Sequence, residues 1–477
     1  RNQGSRVRLA RVARILGPGR RQSSPPPLMG TKLSTPIDLV RVQRFGGPAF
    51  RCGVAELQGW RHSHEDAHAV RCGSNSSSFW VLDGHGGDSA AAFSAPELLR
   101  EFEGGNGELP EDHRLVEGFE AVDARLRASE DARLMASEDP AATAGAIAGL
   151  RPPTAVGAAP APEDGGTRAP RVSGATVVGL FAVHRGDGSY DLKLVSCGDS
   201  LGAVVRGPGE EGSLRVRLPE HVSAASSSAP TGQGPVVAMT IPHRPGLAVE
   251  RARIEAAGGQ VSDEERPRLD GSLLVSRALG DFEHKADESL SPGEQKLCCI
   301  PDVYEVSGLR PGAFCILGSA GVWEALPAGE VAGLVRDTLE KEPKADLGDI
   351  AAGLLRTALR LKGQSNMTMM IVHLADGTDW ASKLDEMQGF QRLFAKDGDQ
   401  EGGPDEDTRN LRLAFLQRAG FPAKPLACAV CGRWLAEMNR CACKTVCYCS
   451  KQCQKADWKA HKPRCPAARP APAASGG

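Results

Sequence analysis

A chain of 477 residues exceeds what one ordinary hydrophobic core organises, so one large domain plus a smaller one, or two medium domains, is expected. A net charge of -2 gives no global reason to expect nucleic acid or an anionic membrane as the main partner, and the 41% hydrophobic and 24% charged shares are those of a soluble globular protein. Aromatic residues make up only 5%, while 56 glycines and 33 prolines point to long irregular insertions.

The first 28 residues carry seven arginines and no acid, and they end in Ser23-Ser24-Pro25-Pro26-Pro27. Residues 1–44 therefore read as a disordered segment: a flexible tail, a transit-like peptide, or sequence upstream of a start at Met29. Met29-Gly30-Thr31-Lys32-Leu33-Ser34 fits the M-G-x-x-x-[ST] pattern, so a start at Met29 implies N-myristoylation at Gly30 and membrane association. No stretch has the roughly 18 consecutive apolar residues of a membrane span and no secretory signal is visible, so cytoplasm or nucleus is the expected compartment.

Residues 45–375 alternate short β-like runs with helical patterns, as an α/β or α+β domain requires. Strands are predicted at 79–82, 175–183, 192–197, 314–317 and 367–373, and helices at 113–136, 249–257 and 347–361. Residues 139–172, rich in Ala, Pro, Gly and Thr, read as a low-complexity insertion. Residues 376–427 read as a linker, and 466–477 as a disordered tail.

Asp83-Gly84-His85-Gly86-Gly87 follows the apolar run Phe79-Trp80-Val81-Leu82, placing a carboxylate and an imidazole in the turn that ends a strand. Glycines let the backbone approach an ion, the carboxylate binds a hard cation, and the imidazole transfers a proton near neutral pH. Alone, the pattern is equally a plain glycine turn. Similar elements recur at Gly59-Trp60-Arg61, at Glu65-Asp66-Ala67-His68 and, after another strand, at Cys197-Gly198-Asp199-Ser200, which favours a shared site. Arg61 is suited to gripping two phosphate oxygens at once, although an arginine near two acids is often a surface ion pair.

These strings, with Ser173-Gly174-Ala175-Thr176, Ala256-Ala257-Gly258-Gly259, Gly271-Ser272-Leu273-Leu274-Val275-Ser276-Arg277-Ala278-Leu279-Gly280-Asp281 and Asn366-Met367-Thr368, lie in the order of the metal-dependent protein phosphatases of type 2C, which the chain resembles over 45–375. The resemblance implies an α+β fold of two stacked antiparallel sheets flanked by helices, with Mg²⁺ or Mn²⁺ in the cleft activating water against phosphoserine or phosphothreonine proteins. It makes Asp83 the bridging ligand, Gly84 a carbonyl ligand, and Glu65 and Asp66 holders of metal-bound water. Arg61 becomes the phosphate clamp and His85 the general acid.

Two carboxylates of the pattern are missing. Ala320 and Ser365 stand where the family has Asp, and both gaps strike the same metal, so one ion is expected to be lost or weakly held. Glu324 and Asp199 are the candidate substitutes. A smaller departure is Pro242-His243, where the family usually has Asp before the His. Two functional readings follow: a weakened serine/threonine phosphatase, or a pseudophosphatase adaptor that binds phosphoproteins without hydrolysing them.

Of the 14 cysteines, eight crowd between Cys428 and Cys465. Cys428-x2-Cys431, Cys441-x-Cys443, Cys449-x3-Cys453 and His461-x3-Cys465 supply four ligand pairs, enough for two tetrahedral Zn²⁺ ions. A segment this short cannot bury a core, so metal supplies its folding free energy. The run from Tyr448 to Cys465 resembles a MYND-type finger. That resemblance implies interleaved sets: Cys428, Cys431, Cys449 and Cys453 on one zinc, and Cys441, Cys443, His461 and Cys465 on the other. Cys447 is a spare thiol able to exchange with Cys441 or Cys443. The resemblance also implies binding of proline-containing peptides. Nucleic acid is the weaker option, and Trp458 is expected in the finger's core.

Overall fold

The computed structural model describes residues 32–103, 107–138, 173–207, 214–225, 235–361, 363–380, 384–389, 406–421, 427–430, 433–435 and 438–465. Met29, Gly30, the insertion at 139–172, Cys431 and the tail at 466–477 lie outside them.

In chain order the elements begin with strands β1 (Ile37–Gly46), β2 (Arg51–Gly59), β3 (Ala67–Cys72) and β4 (Ser76–His85), then helices α1 (Ser89–Glu101) and α2 (Asp112–Glu138). Next come β5 (Gly174–His184), β6 (Tyr190–Cys197), β7 (Leu201–Val205), β8 (Arg215–Arg217), α3 (Glu220–Ala225), β9 (Val236–Met239), α4 (Ala248–Ala256), β10 (Leu279–Gly280), β11 (Asp302–Leu309) and β12 (Phe314–Gly318). The chain continues through α5 (Ala320–Ala325), α6 (Ala328–Lys341), α7 (Leu347–Arg360), β13 (Met367–His373), β14 (Glu386–Gln388), α8 (Glu406–Arg418), β15 (Trp434–Leu435), β16 (Asn439–Arg440), β17 (Cys447–Tyr448) and α9 (Lys451–His461).

Two antiparallel sheets result. The first runs β15-β14-β1-β2-β13-β12-β7-β9, and the second β3-β4-β5-β6-β11-β8 with β10 paired to β5. Side chains alternate faces along a strand, and this chain fills both faces with apolar groups. In β12, Cys315 and Leu317 point into the space between the sheets while Phe314 and Ile316 face α6 and α7; in β4, Phe79 and Val81 point inward and Trp80 and Leu82 meet α1 and α2. The layers are thus helix, sheet, sheet, helix, as expected.

All five predicted strands and all three predicted helices are present, each with its ends shifted by a few residues at most. Two boundaries change. Residues 37–44, expected in the disordered N-terminal segment, form most of β1, paired along its length with β2. Residues 376–427, expected as a linker, carry β14, which extends the first sheet against β1, and α8, whose Phe415 and Leu416 share a core with Ile37, Leu39 and Trp434. No helix among the described residues is long and apolar enough to cross a membrane.

Candidate metal and phosphate site

The loop between β2 and β3 carries Arg61, Glu65 and Asp66, and the end of β4 carries Asp83, Gly84 and His85. The two segments meet backbone to backbone: a Cβ added to Gly84 would lie 2.2 Å from the Glu65 carbonyl oxygen. Glycine is therefore demanded at 84 by packing. Asp66 is fully buried, accepts from the Thr368 hydroxyl at 2.8 Å through Oδ2, and leaves Oδ1 without a protein partner. Arg61 is exposed.

Burial, then the neighbouring carboxylates of Asp66 and Asp199, push the Asp83 carboxyl well above the usual carboxylate range. Asp66 and Asp199 are likewise raised, chiefly by burial, with His64 and Arg244 respectively pulling the other way. A buried carboxylate raised by two carboxylate neighbours is an arrangement a divalent cation relieves, and the unpartnered Asp66 oxygen is a free donor for it. The residues present fit Mg²⁺ or Mn²⁺.

His85 Nε2 lies 2.6 Å from Asp281 Oδ2. Burial works against a charge on the imidazole, but Asp281 outweighs it and raises the His85 pKa. Asp281 holds a left-handed φ of 50°, unusual for a non-glycine residue. Gly174 makes room for the pair, since a Cβ there would sit 2.0 Å from Asp281 Oδ2 and 2.5 Å from His85 Nε2. Asp281 ends the Gly271–Asp281 motif string, where nothing in the sequence marks it as a partner of His85. The signal that identifies it is its left-handed backbone beside an obligatory glycine.

Opposite this cluster, α5 starts at Ala320, whose backbone N–H donates to Asp83 Oδ2 at 2.8 Å. Ser365 is adjacent: a Cβ on Gly321 would meet the Ser365 Cβ at 2.9 Å. The two residues without carboxylates therefore line one side of the site. Glu324, a candidate substitute, is exposed and pairs with Arg266 at 3.2 Å. Asp199 faces Arg244 at 3.6 Å. His243 is buried and accepts from the Gly198 N–H at 3.0 Å, so its role is to pin the turn before Asp199.

At the C-terminal end, ligand atoms of Cys441, Cys443, His461 and Cys465 lie within 4.8 Å of one another, as do those of Cys428, Cys449 and Cys453. Thiolates and imidazole in this number are zinc donors. Hydrogen bonding, above all from Thr445, pulls the Cys443 thiol down to about 6. Cys447 belongs to neither group and is buried in β17, pairing with Arg440. Trp458, expected in the core, is 38% exposed on α9; Tyr448 fills that core instead, with its hydroxyl donating to Asp457 at 2.7 Å.

The family model "Protein phosphatase 2C" matches residues 167–367, and the model "MYND finger" matches residues 428–465. "Probable protein phosphatase 1N" of Mus musculus is 31% identical over 363 residues, covering 74% of this chain and 72% of that protein. The chain belongs to the protein phosphatase 2C family. "Protein phosphatase 1B" of Mus musculus is 27% identical over 392 residues, covering 79% of this chain and 86% of the relative. A crystal structure of a phosphatase from Toxoplasma gondii superposes with a TM-score of 0.50 at 19% identity, covering 71% of this chain and 96% of that one, which supports the shared fold. This member of the 2C family carries a MYND finger after its phosphatase fold and lacks carboxylates at positions 320 and 365.

Proposed function

We propose that this chain is a slow protein serine/threonine phosphatase that keeps one strong hard-cation position and is directed to its substrates by the finger. The observation that carries the reading is the His85–Asp281 pair at 2.6 Å beside the Asp66, Asp83 and Asp199 carboxylates. A fold that only binds has no use for an oriented imidazole at that point.

Asp83 and the Gly84 carbonyl would hold the cation, with Glu65, Asp66 and Asp199 around it. Mg²⁺ or Mn²⁺ bound there supplies Lewis acidity toward phosphoryl oxygen and acidifies water. Arg61, exposed on its loop, grips the phosphate through two parallel N–H donors. His85 gives its proton to the departing serine or threonine oxygen, and Asp281 keeps the imidazole protonated and aimed. The absence of carboxylates at 320 and 365 leaves less positive charge against the phosphate. If that costs about 3–5 kcal/mol, the rate falls by roughly a hundredfold to several thousandfold.

Two Zn²⁺ ions are assigned to Cys428, Cys431, Cys449 and Cys453, and to Cys441, Cys443, His461 and Cys465. Val430 and Trp458 are exposed apolar side chains of the finger, which supports binding of proline-containing peptides there. The second reading, a pseudophosphatase adaptor, is favoured by Ala320, which meets Asp83 through a backbone N–H in place of a carboxylate.

Hydrolysis of a phosphoserine peptide with Mn²⁺ or Mg²⁺ separates them, comparing the natural protein, Ala320→Asp with Ser365→Asp, and Asp83→Asn. Slow hydrolysis that Asp83→Asn abolishes and the double substitution accelerates is expected. A silent natural protein awakened by the double substitution establishes the adaptor.

A further inference from the structure

The last turn of α8 lies against both loops of the acidic site, although α8 falls outside the matched 167–367 span. Arg418 Nη2 donates to the Asp66 carbonyl oxygen at 3.0 Å, and its Nη1 lies 3.9 Å from Asp88 Oδ2. Asp66 closes the loop that bears Arg61 and Glu65; Asp88 follows the turn that bears Asp83, Gly84 and His85. One planar guanidinium thus spans the two segments that supply most of the site's ligands. Three residues earlier on the same helix, Phe415 packs edge-on against His64 with ring centres 5.4 Å apart.

The other end of this contact chain is the finger. Gly420 takes a left-handed φ of 79°, which turns the chain so that the Phe421 N–H donates to the Leu416 carbonyl at 2.9 Å. Phe421 then packs on Trp434 with ring centres 4.9 Å apart. Trp434 pairs with Met387 in the sheet, and its neighbour Arg433 binds Asp349 at 2.6 Å and Glu386 at 3.3 Å. The Arg433 carbonyl accepts from the N–H of Cys428, the first thiol of the finger, at 2.9 Å.

We propose that Arg418 is a positioning residue for the acidic loops, and that the zinc-folded finger, acting through Trp434 and Phe421, holds Arg418 in place. Zinc in the finger then tightens hard-cation binding; the link runs from the Arg433 carbonyl through the Trp434 and Phe421 rings to Arg418 at the end of α8. The cation half of this proposal rests on the metal-site reading above. The loop-order half does not.

The test uses the full chain as the natural protein, Arg418→Ala, Arg418→Lys and Arg412→Ala. Arg412 is the control because it sits on the same helix but binds the Pro36 carbonyl at 3.2 Å and Asp38 at 3.3 Å, away from the acidic loops. Amide hydrogen exchange of residues 61–68 reads loop order, and the spectrum of Mn²⁺ reads cation binding without any turnover. Arg418→Ala is expected to speed exchange severalfold and weaken Asp83-dependent Mn²⁺ binding by about tenfold, the usual scale for an outer-shell partner of a metal ligand. Arg418→Lys recovers part of both, Arg412→Ala changes neither, and the natural protein stripped of zinc behaves like Arg418→Ala. Unchanged exchange in Arg418→Ala overturns the proposal, as does an equal effect from Arg412→Ala, which marks general loosening of α8. A natural protein without Asp83-dependent Mn²⁺ binding sinks the metal-site reading and the cation half together, and exchange alone then decides the clamp.

Discussion

His85 and Asp281 stand 196 positions apart in the chain and 2.6 Å apart in space. If Asp281 keeps the imidazole charged and aimed, its loss should be felt most where the leaving group needs a proton. Asp281→Asn is therefore expected to slow hydrolysis of a phosphoserine peptide by about tenfold or more, and to slow an aryl phosphate with an acidic leaving group much less. Equal losses on both substrates would contradict the assignment. A second residue sets an acid limit on stability. Glu250, buried on α4, binds Arg277 at 2.7 Å and Arg253 at 2.8 Å; burial opposes its charge, but the arginines dominate and hold it down to about 2, from an ordinary 4.5. A carboxylate depressed on folding stabilises above its unfolded pKa and loses that contribution as pH falls through 4.5 toward 2. The contribution is up to roughly 3 kcal/mol. In urea unfolding followed from pH 7 downward, the advantage of the natural protein over Glu250→Gln should shrink across that window. Neither pair is legible in sequence: the motif strings contain His85, Arg277 and Asp281, but nothing local says which side chain meets which.

Elements with a continuous apolar run were legible. Met367–His373 is buried along its whole length and was predicted to the residue. β1 was not, because Asp38, Arg41 and Arg44 break its apolar pattern and lie next to an arginine-rich segment. Arg44 is buried at 7% all the same, since Asp346 and Glu386, at 2.8 and 3.0 Å, neutralise it from far along the chain. The same reason hid β14, whose Glu386 is the buried partner of both Arg44 and Arg433. β15 is only two residues long, and what fixes it is Trp434, 2% exposed among Met387, Phe415 and Phe421. Trp434→Ala is expected to destabilise the protein by about 3–5 kcal/mol in denaturant unfolding. A loss below 1 kcal/mol would mean that this contact does not hold the finger to the sheet.

For the whole molecule, the helix–sheet–sheet–helix layering followed from the resemblance to the type 2C phosphatases and the zinc module from cysteine spacing, whereas their union did not. The stretch read as a linker contributes a strand to the first sheet and a helix to the acidic site, through contacts such as Arg418 to Asp66 that span 352 positions. The candidate site residues were named from motif strings alone, and the structure adds that Ala320 and Ser365 line one side of the cluster while His85 meets Asp281. The central claim is that this cluster retains one strong hard-cation position. Its most direct test is the stoichiometry of Mn²⁺ binding to the zinc-loaded full chain, measured beside Ala320→Asp with Ser365→Asp. One Mn²⁺ per natural chain, lost in Asp83→Asn, and two per doubly substituted chain is the predicted result; none, or two, in the natural protein would contradict it.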